Sequence, residues 1–592
     1  MLPHKYIEAR VQAAVLAVLP EANTASVLVR PCPDTKFGDY QCNALMSLAK
    51  ERKLNPRQLA SQVLTALEVS DCCEAVEIAG AGFLNFRLKS SSVAQTLSAA
   101  AKGEHLFFDR TAKPKTVVVD FSSPNVAKSM HIGHIRSTIL GDSLARTLRL
   151  LGHRVITDNH IGDWGTQFGK LLVGWKTLLN REALERDPIQ ELERLYKTIN
   201  AESETVPATL DAARKELVKL QDGDAENLAI WKEMIRLSEV QFDTIYGRLG
   251  VKFDHTYGES FYNPRLKGVV QELRDRGIAA ESEGAVVVFS DGNLPPKEDP
   301  LLKQVDGKWV PNPCLIQKSD GAANYATTDL ATLTYRVETW NPDSIAYVTD
   351  GRQQLHFRQL FAIYRRWHPE SKVKLDHVWF GSILNDDGTP YKTRSGETVK
   401  LADLLNEAEE RAYAVVTAKS PDLEELSRRR IARAIGLGAV KYADLSPNRQ
   451  SDYIFNWEKM LALTGNTAVY LQYAYARSRS IVRNSVDSSA AIVSAPLETT
   501  RVNLATPEEL SLAKHMLNFD LVLNAVAEEY RPNYLCSYLF ELASHFARFF
   551  EHCPVLKAEA SERASRLVIC ELTARVLKQG LELLGIEVLE QM

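Results

Sequence analysis

Apolar positions along the 592-residue chain fall into blocks of distinct period. Toward the amino end, "IEARVQAAVLAVL" and "PRQLASQVLTAL" repeat apolar residues three and four apart, as a helix with one buried face does, while "ASVLVRPCP" and "GFLNFRL" read as strands. Together they predict a small α+β module. The stretch "AAAKGEHLFFDRTAKPK" loses this periodicity, gains lysines and a proline, and reads as a linker ending near Lys115. Next comes "TVVVDFSS", whose β-branched run suits a parallel strand covered on both faces. Ile132, Ile135, Ile139, Leu144, Leu148 and Leu151 then keep close to one helical stripe, closed by Gly152 as a C-cap, and "HRVITDN" follows as a second strand. Strand, helix and strand in that order make a βαβ unit, and open parallel sheets take ligands beyond the carboxyl ends of their strands.

Residues 171–237 are charged, helical in period and free of strand runs, which predicts a helical insertion in the sheet. Strand-like runs return at "GAVVVFS", "SIAYVTD" and "HVWFGSIL". Beyond about Tyr453 the pattern is almost wholly helical, and no internal repeat is visible. The expected organisation is an α+β module over 1–112, a parallel α/β domain over 113–455 and an all-helical domain over 456–592.

Composition narrows the function classes. Hydrophobic residues make up 45% of the chain, enough to bury a core in each domain. Lys and Arg number 71 against 75 Asp and Glu, so no global basic field advertises a polyanionic partner, and nucleic-acid binding has to be local. Eight cysteines form no C-x-x-C pair and read as buried thiols of a reducing compartment. The start has no signal-peptide pattern and no run of about 18 apolar residues occurs, so the expected location is cytoplasmic, with no membrane partner.

Candidate chemistry gathers in "SSPNVAKSMHIGHIRS", residues 122–137, at the carboxyl end of the first parallel strand. His131 and His134, three apart, have the spacing of two packing histidines or of two metal ligands, although no third ligand is at hand. Gly133 favours another reading. It removes a side chain where a ligand approaches the first helical turn, whose N–H groups attract phosphate, and imidazoles there can donate to phosphate oxygens as charge builds.

The longer "DFSSPNVAKSMHIGHIRSTILGD", with "NHIGDWGTQFGKLL" behind it, closely resembles the arginyl-tRNA synthetases, class I enzymes that activate an amino acid with ATP on a Rossmann-like parallel sheet. "FGDYQCNALMSLAK" and "GAGFLNFRL" resemble that family's N-terminal module, and "YLQYAYARSRSIVR" and "LGIEVLEQM" its anticodon-binding helical domain, so the resemblance spans nearly the whole chain. It implies ATP contacts at Ser129, His131, Gly133 and His134. It maps the arginine site onto Asp120 and Asn125 in "DFSSPN", Tyr325 and Asp329 in "YATTD", and Gln353 in "RQQLH". Two carboxylates, two amides and a phenol suit a planar guanidinium, whose paired N–H groups a lysine ammonium cannot match. Each residue also has a structural reading: Asp120 as a strand-end cap, Asp329 as a helix cap, Tyr325 and Gln353 as packing.

The sequence departs from the class pattern at one point. Class I enzymes usually carry a K-M-S-K-S loop whose second lysine meets the ATP phosphates, and "DDGTPYKTRSGE" does not spell it. Lys128, just before the histidines, occupies the place that compensates in some arginyl enzymes, with Lys392 and Arg394 as loop auxiliaries; a solvated hairpin tip would carry the same two charges. The resemblance further implies L-arginine, ATP with Mg2+ and tRNA(Arg) as substrates, tRNA binding before activation, two steps with no covalent nucleophile, and a monomer. For tRNA, Tyr470, Tyr473 and Arg477 share a helical face, with Arg479 and Arg483 close by, although aromatic stripes at this spacing also line cores. Two rivals remain at this stage: a cysteinyl-type ligase, which would want zinc-binding thiolates, and a non-catalytic RNA-binding paralogue.

Overall fold

Val117, Val118, Val119 and Phe121 are all buried in β1 (Thr116–Phe121), each contributing about 1.5–3 kcal/mol over an exposed position. The computed structural model describes residues 1–385, 387–389, 391, 399–487 and 500–592. In it β1 pairs in parallel with β2 (Arg154–Asp158) on one side and β3 (Ser344–Val348) on the other, with β4 (Lys374–His377) outside β3. The chain leaves β1 through α1 (Ile132–Leu150) to reach β2, and later returns to β3 across β1. This reversal of winding opens a crevice between the carboxyl ends of β1 and β3.

The end of α1 follows from Gly152, which takes φ +91°. Its N–H donates to the Arg149 carbonyl (3.0 Å) and that of His153 to the Leu148 carbonyl (3.1 Å), the paired bonds of a Schellman closure. The helical insertion is longer than its charge pattern predicts, running from Gln167–Leu178 through Ala225–Leu249.

Three strand expectations change. "GAVVVFS" joins a separate antiparallel sheet, where Ala285–Val288 pairs with Ala280–Ser282 across a tight turn at Glu283 and Gly284, and with Cys314–Gln317 on its other side. "HVWFGSIL" is interrupted after His377, and Ile383–Leu384 pairs instead with Tyr453–Ile454. "ASVLVRPCP" keeps only Arg30–Pro31 as strand; Pro31 and Pro33 lack N–H donors, and the Val29 N–H goes to Glu8 Oε2 (2.8 Å).

Two compact units result. One comprises Thr111–Leu423 and Ala443–Glu458 and contains the parallel sheet; the other comprises Met1–Arg110, Glu424–Tyr442 and Lys459–Met592. In the second, the amino-terminal module and the helical tail share ion pairs, Lys5 with Asp520 (2.8 Å) and Lys514 with Asp39 (2.8 Å). Seven of the eight cysteines are buried and all eight are free thiols.

Candidate active site

The loop leaving β1 is built under strain. Ser122, Ser123 and Ala127 adopt φ of +76°, +50° and +61°, a region that disfavours any side chain with a Cβ. Side-chain acceptors hold it there. The N–H groups of Ser122, Ser123 and Ala127 donate to Ser137 Oγ (2.8 Å), Asn159 Oδ1 (3.0 Å) and Ser238 Oγ (2.9 Å). Ser137 also donates to the Val348 carbonyl at the end of β3 (2.5 Å), so one hydroxyl joins both lips of the crevice.

His131 is the N-cap of α1 rather than a helical residue, with extended backbone. Its Nδ1 accepts the Gly133 N–H (3.1 Å), and its own N–H donates to His134 Nδ1 (3.0 Å). A Cβ on Gly133 would lie 2.9 Å from the His131 ring, so glycine is needed for the cap itself as well as for ligand approach. Burial pushes the His134 imidazole down to about 3. Burial, then Lys128 and Arg352, lower His131. Both rings are therefore neutral near pH 7 and both accept at Nδ1, which leaves the hydrogen on Nε2. The two rings, tilted by 37° with 4.0 Å between centroids, present two N–H donors at a helix amino end.

Lys128 is exposed, its ammonium 5.2 Å from the centre of the Tyr196 ring on the insertion. The Ser129 N–H donates to Glu193 Oε1 (2.6 Å) on the same insertion helix, Pro188–Thr205. Lys392 and Arg394 lie outside the described residues. The chain that follows them is anchored at the histidines: the Ile132 N–H donates to the Val399 carbonyl (3.0 Å) and the Leu401 N–H to the Met130 carbonyl (2.8 Å).

Arg136, fully buried in α1, pairs with Asp444 (2.8 Å) and donates to the Gly381 carbonyl (2.7 Å), between the Phe380 and Tyr453 rings. The Gly381 carbonyl that it satisfies lies within the interrupted part of "HVWFGSIL", between the two strand segments.

The expected arginine residues lie around the crevice. Asp120, next to last in β1, shares the buried Arg336 guanidinium (2.8 Å) with Asp158 (2.8 Å). Burial, opposed by Arg336 and reinforced by Asp120, raises the Asp158 carboxyl. Asn125 is exposed and bridges Gly162. Tyr325 opens α2 (Tyr325–Trp340) and is 59% exposed, its ring 4.8 Å from that of His356. Asp329 is one turn inside α2, with Asn324 at the N-cap, so it does not cap the helix. Its Oδ2 accepts from His356 Nε2 (2.6 Å), and its Oδ1 lies 3.8 Å from His160 Nε2. Gln353 is exposed at the end of the turn Gly351–Gln353, directly beyond β3.

His160, His356, Arg336 and Arg136 escape sequence reasoning. His160 and His356 stand inside stretches that draw notice for other letters, "NHIGDWG" and "RQQLH", but only the folded chain shows that both face Asp329.

In the other unit, Tyr470, Tyr473 and Arg477 share one wall of a cleft of about 390 Å³ between α3 (Ala468–Asp487) and α4 (Asn533–His552). Tyr473 is 46% exposed, and the Arg477 guanidinium lies 4.2 Å from the Phe550 ring centre. Arg479 and Arg483 turn elsewhere, to Glu590 (3.1 and 3.2 Å).

Residues 94–457 match the family model described as tRNA synthetases class I (R), catalytic domain, so the crevice and its capped helix are those of a class I tRNA synthetase. Residues 471–592 match the DALR anticodon binding domain and 5–88 the arginyl tRNA synthetase N terminal domain; the arginine–tRNA ligase of Chromobacterium violaceum is 45% identical over 100% of both chains, and that of Citrobacter koseri 45% over 98% of each. The chain belongs to the arginyl-tRNA synthetase family. Among solved structures, the Plasmodium falciparum arginyl-tRNA synthetase superposes with a TM-score of 0.81 at 28% identity over 100% of this chain and 99% of that one. The Thermus thermophilus enzyme gives 0.80 at 25% over 100% of each.

Proposed function

We propose that the protein activates L-arginine with ATP and transfers the arginyl group to the 3′-terminal adenosine of tRNA(Arg). The observation that carries this reading is the crevice itself, with two neutral Nε2–H donors at one lip and the Asp329 carboxylate within the same unit. ATP enters as its Mg2+ complex, a substrate. The arginine carboxylate attacks the α-phosphorus, the bond to the bridging oxygen breaks, and pyrophosphate leaves. A terminal adenosine 2′-hydroxyl of tRNA then attacks the arginyl carbonyl, and AMP leaves. His131 and His134 hold phosphate oxygens through Nε2–H, with Ser129 and Gly133 lining the approach, and Lys128 supplies the positive charge. Asn125, Tyr325, Asp329 and Gln353 take the amino acid, with Asp120 as the second carboxylate. Lys392 and Arg394 act as loop auxiliaries.

Arginine-dependent exchange of labelled pyrophosphate into ATP, with and without tRNA, tests the reading; exchange with arginine alone among the amino acids, and only with tRNA present, is expected. No exchange from folded protein that binds tRNA would point to a non-catalytic paralogue. Lys128→Ala should slow exchange by about tenfold or more, and near-normal exchange would remove it from the phosphates.

For tRNA, the reading places an unpaired base in the cleft of Tyr470, Tyr473 and Arg477, because an exposed phenol beside a guanidinium offers a stacking face and a cation. Tyr473→Ala should weaken tRNA binding, read by filter retention, by about 1–3 kcal/mol with arginine and ATP Michaelis constants unchanged. The reading keeps three functional parts, a module over 1–112, a catalytic domain over 113–455 and a helical domain over 456–592, although Glu424–Tyr442 packs in the unit that holds the first and third. The protein is read as a cytoplasmic monomer; no helix among the described residues is long and apolar enough to cross a membrane.

A further inference from the structure

His160 follows β2 in "DNHIGDWG", and its ring is oriented by one bond. Nδ1 lies 3.1 Å from the Tyr257 carbonyl oxygen, which can only accept, so Nδ1 carries a hydrogen. In the neutral ring Nε2 is then a bare acceptor, directed at Asp329 Oδ1 3.8 Å away. The other carboxylate oxygen is engaged by His356 Nε2 at 2.6 Å. Two lone-pair acceptors thus lie side by side near the arginine residues, an arrangement that repels unless an N–H donor bridges them. A proton on Nε2 is one solution. A guanidinium edge is the other, and it satisfies both acceptors at once. Glu259, raised to about 7 chiefly by burial, is a further acidic group that feels both Asp329 and His160, so this end of the crevice attracts a cation.

We propose that His160 Nε2 is an acceptor for the substrate guanidinium, paired with Asp329 Oδ1, and that the two together favour arginine over amino acids ending in an ammonium. The inference rests on the assignment of Asp329 to the arginine site. Tyr257 acts through its carbonyl, as the group that fixes which nitrogen of His160 is bare.

The test is steady-state charging of tRNA by the full-length enzyme carrying His160→Phe, His160→Gln or Asp329→Asn, with Michaelis constants for arginine and for ATP measured separately and thermal melting recorded for each. His160→Phe should raise the arginine constant by about tenfold or more, the scale of a hydrogen bond to a charged group, and leave the ATP constant near its parent value. His160→Gln should recover part of the loss, because its amide oxygen can accept. A parallel rise in both constants with a lowered melting point would make His160 structural and overturn the proposal. A lowered arginine constant in His160→Phe would also overturn it, by identifying the ring as a competing cation. An unchanged arginine constant in the His160 variants, with a raised one in Asp329→Asn, would remove His160 alone. If Asp329→Asn also left it unchanged, the assignment of the pocket would fall with it.

Discussion

Replacing His134 by alanine lowers the rate of arginine-dependent pyrophosphate exchange by about two to three orders of magnitude, the effect of removing one preorganised donor from a charge-developing centre. The donor is Nε2–H, because Nδ1 already accepts the His131 N–H. Alanine therefore removes two things, the phosphate contact and half of a reciprocal helix cap, the second costing about 1 kcal/mol of stability. His134→Asn separates them. Its amide oxygen can keep the bond to the His131 N–H, so the melting point should return toward that of the parent while exchange stays low. Affinity for tRNA should be unchanged in both variants, and a loss of tRNA binding equal to the loss of exchange in His134→Asn would refute the phosphate role. With its pKa pushed down to about 3, His134 stays neutral well below pH 7. A fall in exchange between about pH 7 and pH 5 thus belongs to another group, and it should persist in His134→Asn.

The second large effect is at Asp329. Asp329→Ala should raise the arginine Michaelis constant by about a hundredfold, the order found when one partner of a desolvated charge pair is truncated. The ATP constant should change little, because the carboxylate sits in α2 on the amino-acid side, apart from the capped end of α1. The neighbours sharpen the expectation. With the carboxylate gone, His356 loses the acceptor of its 2.6 Å bond, and a cationic substrate meets imidazoles without the balancing charge. An unchanged arginine constant would take Asp329 out of the pocket.

Much of this architecture is legible in the letters. The run "TVVVDF", the stripe from Ile132 to Leu148 and the stop at Gly152 encode β1, α1 and its closure, since period and a positive-φ glycine are local properties. The place of His131 and His134 at a strand's carboxyl end follows from the same βαβ reading. What period cannot encode is which strand sits beside which. "GAVVVFS" has the composition of a buried parallel strand yet pairs antiparallel elsewhere, because a strand satisfies its ladder with whichever partner the chain brings within reach. The tail likewise reads as a separate helical domain, whereas Lys5 and Lys514 tie it to the amino-terminal module.

The site divides along the same line. By itself, the sequence determined the family pattern, the helix after β1 with its stop at Gly152, and the chemical inventory of Asp120, Asn125, Tyr325, Asp329 and Gln353. Only the tertiary structure decided that Asp120 is shared with Arg336, that Asp329 stands between His356 and His160, and that Arg136 joins α1 to the chain around Gly381. These pairs are 27 to 245 residues apart in the chain. Spacing along a sequence constrains neighbours within a turn or a strand; it carries no record of side chains that meet across the sheet, where hydrogen bonding and burial set which nitrogen holds a proton.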